Sequence, residues 1–163
     1  MAHTRLGTGS SGLQEANVRR SAGVLLYRRS PELEVLLVHP GGPFFRGKDE
    51  WGIPKGEYYA AEEPIAAAYR EFAEETGFPP PPGDPIPLGE VTQRGGKRVV
   101  AWALEGDLDV TRLVSNTFAM PWRGAIRHFP EVDEGRWFGL DSARERMKAA
   151  QQPFLDRLLQ ALG

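Results

Sequence analysis

Cysteine does not occur anywhere in the chain. Its absence removes disulfides and thiolate metal sites, and fits a reducing, cytoplasmic setting. Long hydrophobic runs are missing too: no apolar stretch approaches the ~20 residues of a membrane span, so no membrane partner is expected. The opening residues MAHTRLGTGSSGLQ lack the apolar centre of a signal peptide. Rich in Gly, Ser and Thr, residues 1–18 read as a disordered tail. Strong charge of one sign is also absent. The formal net charge is −2, which offers no global attraction to nucleic acid, and none is expected as a partner. Affinity for phosphate must therefore come from a local basic cluster or from a metal. What remains is ordinary, with 40% hydrophobic and 26% charged residues over 163 positions, enough for a substantial core. With no internal repeat and no second-domain boundary, residues 19–163 are expected to form a single domain. No feature fixes an oligomeric state.

The chain is organised around Gly56 to Phe78, GEYYAAEEPIAAAYREFAEETGF. An amphipathic helix laid over residues 63–76 puts Ile65, Ala68, Tyr69, Phe72 and Thr76 on one side, ready to pack against a sheet. Glu71, Glu74 and Glu75 share an arc on the other side, because i, i+3 and i+4 positions are helical neighbours. Like charges so close repel unless a cation neutralises them. Ligands that are all oxygen suit a hard ion such as Mg²⁺ or Mn²⁺. The competing reading is a solvated acidic face.

The residues around the glutamates decide between the two. Gly56, five residues, Glu62, seven residues, then Arg70-Glu71-Phe72-Ala73-Glu74-Glu75-Thr76-Gly77-Phe78 resembles the signature of the Nudix hydrolases, G-x5-E-x7-R-E-φ-x-E-E-x-G-φ, at every position. Seven fixed residues match by chance on the order of 10⁻⁸ per start position. The resemblance implies an α/β fold, a sandwich of helices around a mixed β-sheet. It also implies cleavage of a nucleoside diphosphate linked to another moiety, with Mg²⁺ (or Mn²⁺) as cofactor. Glu71, Glu74 and Glu75 match the family's metal-binding glutamates, and the carbonyl of Gly56 is a further ligand. Arg70 and Glu62 match positions that brace loop and helix, and Arg70 stands where it can temper the carboxylate repulsion.

The flanking elements fit that fold in type and order. Residues 21–28 and 34–39 read as apolar strands joined by Arg29-Ser30-Pro31, in a sheet covered on both faces. A long loop follows with Phe44, Phe45, Arg46 and Lys48 interleaved; Arg46 and Lys48 are candidate substrate contacts, and the alternative is an ordinary surface loop. Trp51-Gly52-Ile53-Pro54-Lys55-Gly56 makes a sharp entry to the helix. Lys55 is placed either to contact phosphate, to orient a glutamate, or simply to face solvent. Gly77 suits a left-handed cap, and the prolines from Pro79 cannot extend the helix; they read as a spacer rather than a ligand for a proline-binding domain. Residues 86–92 and 97–105 form an expected hairpin around Arg94-Gly95-Gly96, and residues 108–112 a linker. Phe118, Met120 and Trp122 alternate over a short segment. Residues 136–140 read as a last strand, with Asp141 capping helices over 143–161.

Some chemistry stays open at this level. The general base comes either from the motif or from a later loop. Glu131, six residues before Trp137, matches a glutamate that serves some nucleotide-hydrolysing relatives as ligand or base. The proline of the family's ADP-ribose hydrolases is replaced by Gln93, and no tyrosine stands nearby as in the diphosphoinositol and long dinucleoside polyphosphate enzymes. WGIPKGEYYAAEEPIAAAYREFAEETG resembles the small diadenosine tetraphosphate hydrolases. The expected partner is thus a small-molecule nucleotide, a dinucleoside polyphosphate or a nucleoside triphosphate. Trp122, Phe118 and Phe45 are candidates to stack its base. The alternative is a catalytically silent Nudix-fold module that binds a nucleotide for regulation; such modules commonly lose motif glutamates, and all are present here.

Overall fold

The computed structural model of the chain describes residues 18–29 and 31–163. The tail expected over 1–18 falls outside these residues except for Val18, and so does Ser30 of the expected first turn. The strands are β1 (Arg20–Arg29), β2 (Leu33–Pro40), β3 (Lys55–Glu57), β4 (Ile86–Thr92), β5 (Arg98–Glu105), β6 (Thr117–Trp122), β7 (Ala125–Pro130) and β8 (Val132–Gly139). The helices are α1 (Pro64–Thr76), α2 (Leu140–Arg146) and α3 (Pro153–Leu162).

Strand order is β4-β5-β1-β2-β8, with β3 paired to β1 and β6-β7 forming a separate hairpin. Only β1 and β5 run parallel; the remaining pairs are antiparallel, so the sheet is mixed. The unbroken Val/Leu runs of β1 and β2 are buried on both faces, as their composition requires. Alternate side chains serve opposite cores. Leu25, Val35 and Leu37 pack with Ala143 of α2 and Phe154, Leu155 and Leu158 of α3. Val24, Leu26 and Leu36 pack with Ala67, Ala68 and Phe72 of α1. This is the expected α/β/α sandwich. Phe72 has no accessible surface, and burying it contributes about 2–3 kcal/mol.

One feature of the sheet positions the site. β1 shares a single edge between two partners, β2 opposite Tyr27 to Arg29 and β3 opposite Ser21 to Gly23. Between these pairings β1 and β2 part, and Trp51 to Pro54 fills the gap. Val24 N–H donates to the Pro54 carbonyl at 3.2 Å, while Val38 and Gly52 exchange bonds of 2.8 and 3.1 Å. The loop is thus stitched to two strands, which carries Lys55 and Gly56 rigidly to the foot of α1.

Three elements depart from the sequence reading. β3 was read as loop. β8 starts at Val132, four residues ahead of the expected Arg136, because Val132 and Gly135 turn inward while Asp133 and Glu134 face solvent; Leu140 opens α2 instead of closing the strand. The helices expected over 143–161 are two, parted by a 3₁₀ turn at Ala149–Gln151, a break the periodicity does not place. The break is tertiary: Trp51 N–H donates to Arg146 O and Lys148 N–H to Trp51 O, both at 3.0 Å, which holds Met147 extended. Gly139, not Asp141, is the N-cap of α2, and Asp141 sits in its first turn.

Candidate active site

Helix α1 presents its carboxylates as the periodicity requires. Ala68, Phe72 and Thr76 are buried, joined by Ala67, while Ile65 and Tyr69 are half-buried. The helix ends at Gly77, whose φ of 78° is left-handed and whose N–H donates to Ala73 O at 2.9 Å. A Cβ there would also stand 2.8 Å from the Val114 carbonyl. Thr76 Oγ1 donates to Phe72 O at 2.7 Å and accepts from Phe78 N–H at 3.1 Å.

The end of α1 also places the second wall of the site. Val114 N–H donates to Thr76 O at 3.0 Å, Asn116 N–H to Glu74 O at 2.8 Å, and Glu131 N–H to Asn116 O at 2.8 Å. Glu131 is in this way tied to the motif helix through one intervening residue. The resulting cleft, about 950 Å³ including its open mouth, is lined by Lys55, Gly56, Glu57, Glu71, Glu74, Glu75, Lys97, Asn116, Thr117 and Glu131. Gly56 lies against the Glu71 carboxylate, and any Cβ at that position would collide with it. This close approach of backbone to carboxylate is the reason for a glycine at the start of the motif.

Arg70 organises the acidic side. Its Nε and Nη2 donate to Glu62 at 2.8 and 3.0 Å, and its Nη1 donates to Glu71 at 2.8 Å and Glu74 at 3.2 Å. The Glu62 carboxyl is held below its usual range chiefly by these bonds, and Arg70 is raised by the same contacts. Glu75 turns elsewhere and accepts the Lys55 N–H at 3.1 Å. Burial pushes the Glu71 carboxyl up, with Arg70 opposing and Glu74 and Glu131 adding to the rise. Glu75 is driven up by burial and by Glu71 and Glu131, against the pull of Lys55. Glu131 rises through burial and the charge of Glu74. Lys55 is pushed down by burial and by Lys148 and Lys97.

Among the described residues no three His, Asp or Glu side chains stand close enough together to hold a metal ion. The expected trio is not gathered, because Arg70 draws Glu71 and Glu74 to itself while Glu75 is bonded to the Lys55 amide. The donor set still fits a hard divalent cation: four carboxylates and a backbone carbonyl over one cleft, all oxygen, with Glu71, Glu75 and Glu131 raised first by burial and then by neighbouring carboxylates. Rotating Glu71 and Glu74 off Arg70 is the change required.

Arg46, Lys48 and Trp122, read as substrate contacts, line none of the clefts near the glutamates. Arg46 and Lys48 are exposed, and Lys48 offers its carbonyl to His39 Nε2 at 2.6 Å and its Nζ to the Phe45 face. Trp122 lies at the tip of the β6-β7 hairpin, edge-on to Phe44 at 6.0 Å; Phe118 packs with Phe129. Loop length between Pro40 and Trp51 carries this segment away from the cleft. The sequence reading missed Lys97, Lys148, Asn116, Thr117 and Gln151. Gln151, without accessible surface, accepts the Ile53 N–H at 2.9 Å and donates to Gln93 Oε1 at 2.8 Å. Only the arrangement of segments distant in sequence brings these groups to the motif.

Comparison with known proteins agrees with this geometry. A family profile described as NUDIX domain matches residues 17–158. An 8-oxo-(d)GTP phosphatase of Mycolicibacterium smegmatis is 32% identical over 143 residues, covering 79% of this chain and 37% of that protein. The chain thus spans little more than a third of that relative. An Ap4A hydrolase from C. elegans, solved as a binary complex, superposes with a TM-score of 0.64 at 22% identity, covering 87% of this chain and 97% of that one. The NUDIX domain of Shewanella oneidensis NrtR, complexed with ADP ribose, gives 0.63 at 18% identity over 90% of this chain and 89% of its own. Likeness at these identities concerns the fold.

Proposed function

The chain belongs to the NUDIX domain family, and we propose that it hydrolyses a phosphoric anhydride bond in a nucleoside polyphosphate with the help of Mg²⁺ or Mn²⁺. The observation that carries this reading is the single cleft lined by Glu71, Glu74, Glu75 and Glu131 together with Lys55. Glu71, Glu74, Glu75 and the Gly56 carbonyl would hold the cation. Such an ion polarises a phosphoryl oxygen and makes water easier to deprotonate. Glu131, tied across the cleft from α1 and raised toward neutral pH by burial, accepts the proton of the attacking water, with Glu75 as the other candidate base. Lys55 faces the phosphoryl oxygens that gather charge in the transition state. Arg70, anchored by Glu62, keeps the helix and the preceding loop in register, and would give up Glu71 and Glu74 to a bound cation.

The substrate class is a dinucleoside polyphosphate of the diadenosine tetraphosphate kind or a nucleoside triphosphate. Support comes from the motif's surroundings, from the M. smegmatis relative described as an 8-oxo-(d)GTP phosphatase, and from the Ap4A hydrolase among proteins of like fold. The work belongs to a single domain and, with cysteine absent, to a reducing cytoplasm.

The test is a nucleotide panel with release of phosphate and pyrophosphate measured with and without Mg²⁺ or Mn²⁺. Glu71→Gln and Glu75→Gln should each cut turnover at least about 100-fold while the protein stays folded. Near-normal rates in both at saturating Mg²⁺ would remove the mechanism. Nucleotide binding without turnover by the unaltered protein would identify a silent regulatory module instead.

A further inference from the structure

The glutamate cleft does not end at Lys55. Lys97 lines both that cleft and a neighbouring groove of about 960 Å³ whose other walls are Glu50, Gln93, Arg94, Lys148 and two alanines. Lys148 in turn lines both this groove and the pocket behind Lys55, Glu75 and Glu131. The spaces form one track, with Lys55, Lys97, Lys148 and Arg94 along it. Among the described residues none of the four side-chain cations forms a salt bridge, although Glu75 and Glu57 lie near enough to act on Lys55 and Glu50 shares the groove. Lys97 and Lys148 stand near enough for their charge to act on Lys55. Uncompensated like charges in a half-enclosed space destabilise the free protein. A fold that keeps them together has them ready for a polyanion.

The track is also braced. Lys55 follows the stitched loop, Arg94 and Lys97 bound the turn after β4, and Lys148 lies in the extended stretch between α2 and the 3₁₀ turn. One buried side chain joins all three segments: Gln151 accepts from Ile53 N–H at 2.9 Å and donates to Gln93 Oε1 at 2.8 Å. Gln93 N–H bonds the Lys97 carbonyl at 2.6 Å and closes the turn. The backbone segments that carry the cations are therefore fixed before any ligand arrives, which leaves only side-chain ordering as a cost of binding.

We propose that this track is a binding site for a linear chain of three or more phosphates, and that Lys97, Lys148 and Arg94 select substrates by phosphate number. The inference rests on the reading of the glutamate cleft as the hydrolytic site, since the chain would extend from there. A two-phosphate linkage held at the glutamates leaves the outer cations unused. Rows of ammonium groups suit the successive charges of a longer chain.

Binding in the presence of a chelator isolates the cations from any metal and from turnover. Calorimetric titration of the full chain with inorganic tripolyphosphate and with orthophosphate should show clear preference for tripolyphosphate. Lys97→Gln and Lys148→Gln should each weaken tripolyphosphate at least about tenfold, the lower end of the worth of one charge-assisted hydrogen bond. Lys97→Arg and Lys148→Arg should largely restore it. Arg123→Gln, the same charge change on the distant hairpin, should leave it unaltered. ATP carries the same three-phosphate chain: loss shared by ATP and tripolyphosphate assigns the groove to the chain, whereas loss for ATP alone overturns the proposal. Equal affinity for tripolyphosphate and orthophosphate, or undiminished binding in the lysine variants with native melting, would overturn it too. Hydrolysis failing on every nucleotide while lysine-dependent binding persists would sink the proposed reaction but not this site.

Discussion

Replacing Gln151 by leucine tests how much of the site rests on one buried amide. Leucine nearly fills the same volume, so little cavity results. Two hydrogen bonds of about 1 kcal/mol each disappear, and the Ile53 N–H is left without an acceptor, which costs about 1–3 kcal/mol when buried. Ile53 is only 2% exposed, so water cannot serve as a substitute. Added apolar burial returns about 1 kcal/mol. The net loss is about 2–4 kcal/mol, and for a chain of this size that lowers Tm by roughly 5–15 °C. Gln151→Glu keeps the acceptor for Ile53, and the Gln93 amide can turn its NH₂ group toward the new carboxylate. Its carboxylate must however be desolvated at a position without accessible surface, so its loss is largest at neutral pH and shrinks as pH falls and the group takes up a proton. Scanning calorimetry from about pH 7 to 5, beside urea unfolding, reads both variants. A leucine variant melting within about 2 °C of the unaltered protein would refute the reasoning. So would a glutamate variant that gains no more stability than the leucine one as pH falls. A double-mutant cycle with Gln93→Ala should give a coupling of about 1 kcal/mol, since the two side chains share one bond.

Gly77→Ala should lose about 1–2 kcal/mol in urea unfolding, because alanine is strained at a φ of 78° and its Cβ approaches the Val114 carbonyl. Glu75 bears on pH: its folded carboxyl is held above the ordinary value of 4.5, so the folded chain keeps a proton that the unfolded chain releases. That stability is complete below 4.5 and is lost as pH rises through the folded value. Metal-free protein should melt at higher temperature as pH falls from 8 toward 5, and Glu75→Gln should flatten the slope. Arg70→Gln removes the cation between Glu71 and Glu74; its Tm should fall in low salt without metal and recover in saturating Mg²⁺ more than that of the unaltered protein. An identical Mg²⁺ response in both would contradict the bracing role of Arg70.

Legibility in the sequence follows the range of the interactions involved. The α1 carboxylates could be read because three glutamates, Gly77 and the apolar stripe through Phe72 all act within a few helical turns. β1, β2 and β4 could be read because burial on both faces or a flanking turn leaves a local pattern. β3 could not: Lys55 to Glu57 has no strand composition and is extended because Ser21 to Gly23 offers an edge. The break between α2 and α3 was hidden for a related reason, since residues 143–161 carry helical periodicity throughout. The Trp51 backbone, far away in sequence, takes the Arg146 and Lys148 groups that would have continued the helix. Lys97 and Lys148 were invisible as site residues because nothing local distinguishes a lysine that meets Lys55 from one facing water.

Both sides of the site depend on the segment from Trp51 to Gly56. Its carboxylate side exists because Gly56 lets the Glu71 side chain lie on the backbone, and because the Lys55 N–H holds Glu75. Its cation side exists because the same six residues present Lys55 and, through Ile53, fasten Gln151 and the turn that carries Lys97. Two strands grip this segment, so neither set of charges can relax away from the other without breaking sheet hydrogen bonds. Lys55 and the carboxylates are therefore kept adjacent without a salt bridge between them, Arg70 taking Glu71 and Glu74, while Lys55 and Glu75 are each pushed toward neutrality by burial. A simple ion pair would have stabilised the free protein more. Under the proposed function, keeping the charges apart would leave the carboxylates to a divalent cation and the lysines to phosphate, the arrangement that cleavage of an anhydride requires.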